Sequence, residues 1–213
     1  MADFGDGILA RVSRRAFAVA AFASAMGGYY MGRLTGAAQA GPLAAAKGKT
    51  GMRASDFEFT AIDGSPLRLS EFAGRPVMVV NTASFCGYTP QYEGLEALWR
   101  AYREKGFVLV GVPSDDFGNQ EPGTNAQIKQ FCEGFDVSFP LAEKNVVVGA
   151  KAHPFYRWLA AELGEGTVPR WNFFKYLIGR DGLPRATWPS RVEPMSAEVR
   201  KAVEDALAAP ANA

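Results

Sequence analysis

Cys86 sits where an apolar run, Val77-Met78-Val79-Val80, gives way to a helical pattern that begins near Pro90. A thiol at that junction lies among backbone N–H groups with no intrahelical partner. Their partial positive charge favours thiolate over thiol, and the thiolate is the nucleophile. A second thiol, Cys132, lies in Phe131-Cys132-Glu133-Gly134-Phe135. It is either a half-buried, inert helix residue or a partner for an oxidised Cys86. His153, the one histidine, opens a helical pattern after Gly149-Ala150-Lys151. Capping or packing is the expected role there, rather than catalysis.

Two cysteines and one histidine exclude a cysteine-rich zinc site or a disulfide scaffold. No cofactor or metal is expected. The absence of C-x-x-C argues against a thiol–disulfide oxidoreductase. Over 213 residues, 48% are hydrophobic and 21% charged, which suits one globular domain with an appendage. The net charge of +1 gives no electrostatic case for nucleic acid.

The appendage is N-terminal. Ser13-Arg14-Arg15-Ala16-Phe17 opens an uncharged stretch, Ala16 to Gly32, and Ala38-Gln39-Ala40 follows. A basic start, an apolar middle and a small-residue end read as an export signal over 1–40, resembling the twin-arginine type. The alternative is an uncleaved anchor, although the apolar stretch falls a little short of the ~20 residues that span a bilayer. In both cases the folded part is expected in the periplasm, touching the membrane only through a retained signal. Residues 41–52 read as a flexible lead of Gly, Ala and Lys, and 53–213 as the folded domain.

The elements that must position Cys86 follow in order. Phe57 to Ala61 alternates as a strand, Asp63-Gly64 turns, and Leu67 and Leu69 return. Val77 to Val80 is apolar on both faces, as in a central strand. Thr89 is predicted to cap the next helix, with Pro90 at its first position. Phe107 to Val112 is a second buried strand, parallel to the first by the strand–helix–strand rule. The polar loop 113–123 leaves its carboxyl end, where sites form in open α/β sheets. Thr124 and Gln127 make a capping box for a helix over about 125–134. Val137–Leu141 and Val146–Val148 read as extended pieces, and His153–Leu163 as a helix. Phe173–Ile178 and Arg185–Trp188 form a hairpin about Asp181-Gly182, and Ser196 caps a last helix. This order describes an α/β, thioredoxin-like fold, a mixed central sheet with helices on both faces.

Several stretches together resemble the glutathione peroxidase family. Asn81-Thr82-Ala83-Ser84-Phe85-Cys86-Gly87-Tyr88-Thr89 is similar to its peroxidatic motif, and Phe117-Gly118-Asn119-Gln120-Glu121-Pro122-Gly123 to its second signature. Phe139-Pro140-Leu141, Ala152-His153-Pro154-Phe155-Tyr156 and Trp171-Asn172-Phe173-Phe174-Lys175-Tyr176-Leu177 continue in order. The resemblance covers roughly 53–208. It implies reduction of hydrogen peroxide or organic hydroperoxides by a thiol, with Cys86, Gln120, Trp171 and Asn172 as the catalytic group. It also implies that Cys132 stands where some members carry a resolving cysteine and use a thioredoxin-like reductant. A monomer is expected. Ser114 stands where many members have a further Cys, Asp115-Asp116 replaces the usual Asn-Gln, and the segment after Trp188 departs from the family's pattern.

The side chains agree with that chemistry. The Gln and Asn amides and the indole N–H are neutral donors that can stabilise a thiolate and a departing oxygen without trapping an anionic product. The other readings are glutathione as reductant with Cys132 inert, and a non-enzymatic peroxide sensor that passes its oxidation to a partner thiol. If the two Cα atoms lie beyond the ~7 Å limit for a disulfide, the helix over 125–134 must unwind locally.

Overall fold

The computed structural model describes Gly41–Pro42 and residues 48–210. The export-signal reading of residues 1–40 and most of the lead lie outside the described residues. The main sheet has five strands in the order β1 (Gly41–Pro42), β7 (Pro184–Trp188), β6 (Lys175–Ile178), β4 (Val77–Thr82), β5 (Val108–Pro113). β4 and β5 are parallel, with Val77 opposite Val108, while β6 runs antiparallel to both β4 and β7. A parallel pair joined through a helix and followed by a hairpin is the thioredoxin-like arrangement. A separate hairpin pairs β2 (Glu58–Thr60) with β3 (Pro66–Arg68).

All residues of β4 and of β5 are buried. Burial on both faces follows from the period-2 alternation of side chains. Val77 and Val79 pack with Phe155 and Trp158 of α3 (Pro154–Leu163) and with the β2–β3 hairpin. Met78 and Val80 pack on the other face with α1 (Gln91–Tyr102), α4 (Ala197–Ala208) and Ile128 of α2 (Asn125–Glu133). Gly111 is required where Phe139–Leu141 crosses β5: an added Cβ would lie 2.7 Å from Leu141.

Most local expectations are met. Thr124 and Gln127 form the capping box, Ser196 caps α4, and Gly106 takes a left-handed conformation (φ 99°) after the first helix. His153 caps α3 through Nδ1, which accepts the Phe155 N–H at 3.3 Å. Its Nε2 lies 3.0 Å from the Glu58 carbonyl, and its ring stacks on Phe59. Burial lowers its pKa, so the neutral ring suits this structural place.

Two expectations are corrected. Thr89 does not cap α1, because its hydroxyl turns back into the Cys86 loop. Val146–Val148 forms no strand, and of Val137–Leu141 only Leu141 pairs, with Gly111. These pieces are tied down singly instead. Asp116 accepts the Val147 and Val148 N–H groups, and Glu96 accepts the Ser138 N–H.

The segment after Trp188 is anchored by a buried lysine. Lys175 on β6 donates to Gln91 Oε1 (2.5 Å) and to the Val192 carbonyl (2.6 Å). Gln91 in turn donates to the Ser190 carbonyl at 2.7 Å. Burial lowers the Lys175 pKa to about 7. At the other end of the domain, Glu162 of α3 accepts the Lys49 and Thr50 N–H groups and thereby holds the end of the lead.

Candidate active site

The site forms where β4 and β5 end. Beyond β4 the chain turns through residues 83–90 before α1 starts. Thr89 organises this turn: its hydroxyl accepts the Cys86 N–H (3.0 Å) and faces the Ala83 carbonyl as donor (3.0 Å). The Thr89 N–H donates to the Cys86 carbonyl at 3.0 Å. Cys86 is thus fixed from both sides by its own turn. Its Sγ accepts the Tyr88 N–H at 3.4 Å. A free backbone N–H at sulfur is the predicted feature, although it comes from the turn ahead of α1 rather than from α1 itself. Cys86 is 8% exposed, while the neighbouring Phe85 side chain stands 66% in solvent.

The second strand end brings in Gln120. The Phe85 N–H donates to the Gln120 carbonyl at 3.0 Å, which ties the loop after β5 to the Cys86 turn. The third contribution precedes β6. Asn172 is fully buried, and its Nδ2 donates to Gln120 Oε1 at 2.9 Å. With its oxygen so occupied, the Gln120 amide keeps its N–H₂ as a donor. Trp171 is 40% exposed, and its ring packs on Phe117 with centroids 6.0 Å apart. The structure therefore joins Gln120 and Asn172 directly, connects both to the Cys86 turn through Phe85, and places Trp171 at their rim.

Asn81 holds these strands in register and was given no role from sequence. Its Nδ2 donates to the Trp171 carbonyl (3.1 Å), its Oδ1 accepts the Phe174 N–H (3.1 Å), and its own carbonyl accepts the Phe173 N–H (2.6 Å). A polar residue ending an apolar strand was the available signal. Left-handed backbone lies beside both amide residues. Phe173, next to Asn172, has φ 62°, and Asn119, next to Gln120, has φ 52°. A left-handed Phe costs roughly 1–3 kcal/mol and persists only where neighbours over-determine it.

Burial also marks residues the sequence did not single out. Glu121 is fully buried beside the Ser84 N–H and hydroxyl, yet neither carboxyl oxygen has a hydrogen bond of normal geometry. Burial raises its pKa. The acidic pair Asp115-Asp116 is occupied by backbone: Asp115 accepts the Glu121 N–H at 2.8 Å, and Asp116 accepts the Val147 N–H at 2.6 Å. Beside the turn lies a groove of about 390 Å³ lined by Phe85 and Phe131, with Ile128 and Pro122 also on its wall.

Cys132 lies on the inner side of α2, 1% exposed, next to the Tyr92 hydroxyl. Both thiols are free and share one apolar cluster. Burial pushes the Cys132 thiol up to about 11.

The model of the glutathione peroxidase family matches residues 54–160. A hydroperoxy fatty acid reductase, Gpx2, of Synechocystis sp. is 46% identical over 149 residues, covering 70% of this chain and 95% of the relative. The glutathione peroxidase-like peroxiredoxin gpx1 of Schizosaccharomyces pombe is 46% identical over 123 residues, covering 56% and 78%. Among solved structures, the apo form of Trgpx superposes with a TM-score of 0.61 at 36% identity, covering 75% of this chain and 97% of that one. With the strand-end cysteine, the amide pair and the ordered motifs all in place, the chain belongs to the glutathione peroxidase family and is a peroxidase of the thiol-dependent kind.

Proposed function

We propose that Cys86 is the peroxidatic nucleophile, with Gln120, Asn172 and Trp171 as its donors and Cys132 as its resolving thiol. The Cys86 thiolate takes one oxygen of the hydroperoxide and the O–O bond breaks. The other oxygen leaves with the proton that the thiol had released, as water or an alcohol, and Cys86 becomes a sulfenic acid. The free N–H₂ of Gln120 and the indole N–H of Trp171 are the donors available to that departing oxygen. Cys132 then attacks the Cys86 sulfur. Hydroxide leaves, takes up the Cys132 proton as water, and a disulfide remains. A dithiol protein of thioredoxin type returns two electrons and two protons.

The observation that carries this reading is the Phe85–Gln120–Asn172 chain of hydrogen bonds, which fixes two amides against the turn that presents the Cys86 sulfur. Both hydrogen peroxide and organic hydroperoxides are proposed substrates. The open groove beside Phe85 offers apolar surface to an acyl chain, in keeping with a relative named for hydroperoxy fatty acids. The Ser13-Arg14-Arg15 segment supports export and a periplasmic enzyme, where the supply of reductant limits the cycle.

Intact mass after one equivalent of peroxide tests the cycle. Loss of two hydrogens, with Cys86 and Cys132 peptides joined, is expected; a persistent sulfenic acid would remove Cys132 from it. The burial of Cys132 favours one second reading, glutathione as reductant with Cys132 inert. Turnover sustained by glutathione and not by thioredoxin would select it.

A further inference from the structure

Lys175 is fully buried on β6, in a stretch whose neighbours Phe173 and Leu177 belong to the apolar cluster against α1 and α4. Taking an ammonium out of water is costly, and an apolar side chain of similar length would fill this place without that cost. Its partners show what the charge provides. All three N–H bonds of the ammonium have an acceptor: Gln91 Oε1 at 2.5 Å, the Val192 carbonyl at 2.6 Å and the Ser190 carbonyl at 3.4 Å.

Gln91 is the first residue of α1 and is itself buried. Its amide is held in one orientation, because the oxygen faces the ammonium while Nε2 donates to the Ser190 carbonyl (2.7 Å) and to Glu193 (3.3 Å). The Gln91 backbone N–H donates to the Tyr88 carbonyl at 2.9 Å. The Tyr88 N–H is the donor that meets Cys86 Sγ at 3.4 Å. Three hydrogen bonds thus lead from the buried ammonium to the reacting sulfur, through the start of α1 and the turn ahead of it.

We propose that Lys175 is a positioning residue for the peroxidatic step: its ammonium fixes Gln91, and Gln91 holds the Tyr88 peptide with its N–H on Cys86 Sγ. This rests on the reading of Cys86 as the nucleophile. A neutral amine has two N–H bonds and a lone pair, so without its charge Lys175 leaves one of three acceptors without a donor and loosens Gln91. Burial lowers the Lys175 pKa to about 7, which puts this loosening in the neutral range. Among the described residues, the charged group whose field reaches Lys175 is Glu193, on the segment after Trp188, and it favours the ammonium. The residues paired with Lys175 on β4 and β7 are Val80 and Trp188, and α4 meets this cluster with Val199 and Val203. None of these titrates, nor does Gln91 on α1.

The test is the second-order rate of the first oxidation by hydrogen peroxide, read by stopped-flow tryptophan fluorescence from pH 5.5 to 8.5. The ratio of wild-type to Lys175→Met rates cancels what the two proteins titrate in common. At pH 5.5 it should be about 10 to 100, the scale of a loss of positioning. It should shrink toward one between pH 6 and pH 8, where a group titrating near 7 goes from about nine-tenths to about one-tenth protonated. A purely structural lysine gives a ratio that does not change with pH, and a flat ratio overturns the inference. Glu193→Gln keeps the lysine and alters an exposed side chain, so it reads the same device where Lys175→Met fails to fold. Without Glu193 the ammonium loses its proton at lower pH. The variant should therefore match wild type at pH 5.5 and lag behind it at pH 7; equal rates at both overturn the inference as well. Cys86→Ser should give no signal. A signal that survives there refutes Cys86 as the nucleophile, whereas a flat ratio with Cys86→Ser silent refutes the role of Lys175 alone.

Discussion

Cys86 and Cys132 share one apolar cluster and nearly the same burial, yet their surroundings prepare them for different work. Cys86 sits in a turn that spends its hydrogen bonds on holding the residue, and a backbone N–H meets its sulfur. Cys132 sits inside a helix, where its own backbone is occupied and burial holds the thiol protonated. Burial alone therefore does not decide reactivity. In the proposed cycle the donors beside the sulfur decide it, together with how readily the sulfur can be uncovered. For Cys132 uncovering is cheap. In α2 only Ile128 and Cys132 are buried, and nine residues is below the length at which an isolated helix persists in water.

The sharpest break of this comparison is to remove each thiol in turn. Cys86→Ser should lower peroxide consumption by about a thousandfold or more, the scale seen when a nucleophile is lost. Cys132→Ser should leave the first oxidation at its wild-type rate and stop thioredoxin-driven turnover. Stopped-flow tryptophan fluorescence for the first step and a coupled reductase assay for the cycle read the two effects separately. Equal loss in both assays for both variants would erase the division of roles.

A smaller effect comes from the donor pair. Asn172→Ala removes the donor that occupies Gln120 Oε1 and lets the Gln120 amide turn. The second-order rate of the first oxidation should fall about 10- to 100-fold, short of the loss at Cys86, because one oriented donor contributes less than the nucleophile. The yield of Cys86–Cys132 disulfide at saturating peroxide should not change.

The backbone of this site was legible where local chemistry decides it. The β4 apolar run, the Thr124–Gln127 box and the Asp181-Gly182 turn each carry their signal within a few residues. Thr89 misled because a hydroxyl before a Pro-initiated helix has two uses, and the Cys86 N–H, three residues back, competes for it. Val146–Val148 misled because apolar β-branched residues also pack without a ladder when a single carboxylate, here Asp116, accepts their N–H groups. The family motifs brought Gln120 and Asn172 into view, but the bond between them spans two distant segments. The clamp by Asn81 and the buried carboxyl of Glu121 depend on partners far away in sequence, and no spacing rule reaches them.

If α2 must open for Cys132 to act, its cap becomes a kinetic control. Thr124→Ala removes the capping box at the start of α2. Such a loss destabilises a helix by about 1 kcal/mol, which is about fivefold in the population of opened helix. Disulfide formation, followed by quenched-flow alkylation after a saturating peroxide pulse, should accelerate by up to that factor while the first oxidation stays constant. An unchanged rate would mean that Cys132 reaches Cys86 with α2 intact.

The smallest effect tests the burial of Cys132 in the resting enzyme. Its thiol ordinarily titrates near 9.0 and is pushed up to about 11 in the fold. The unfolded chain therefore loses this proton at lower pH than the folded one. The stabilising contribution of keeping a neutral thiol is complete below pH 9 and disappears as pH rises from 9 through 11. Between those limits the wild-type melting temperature should fall relative to that of Cys132→Ala, whose side chain does not titrate, whereas below pH 8 the difference between the two should stay constant. A difference that stays flat from pH 8 to 11 would place Cys132 in contact with water already. Its reaction with Cys86 would then owe nothing to the opening of α2.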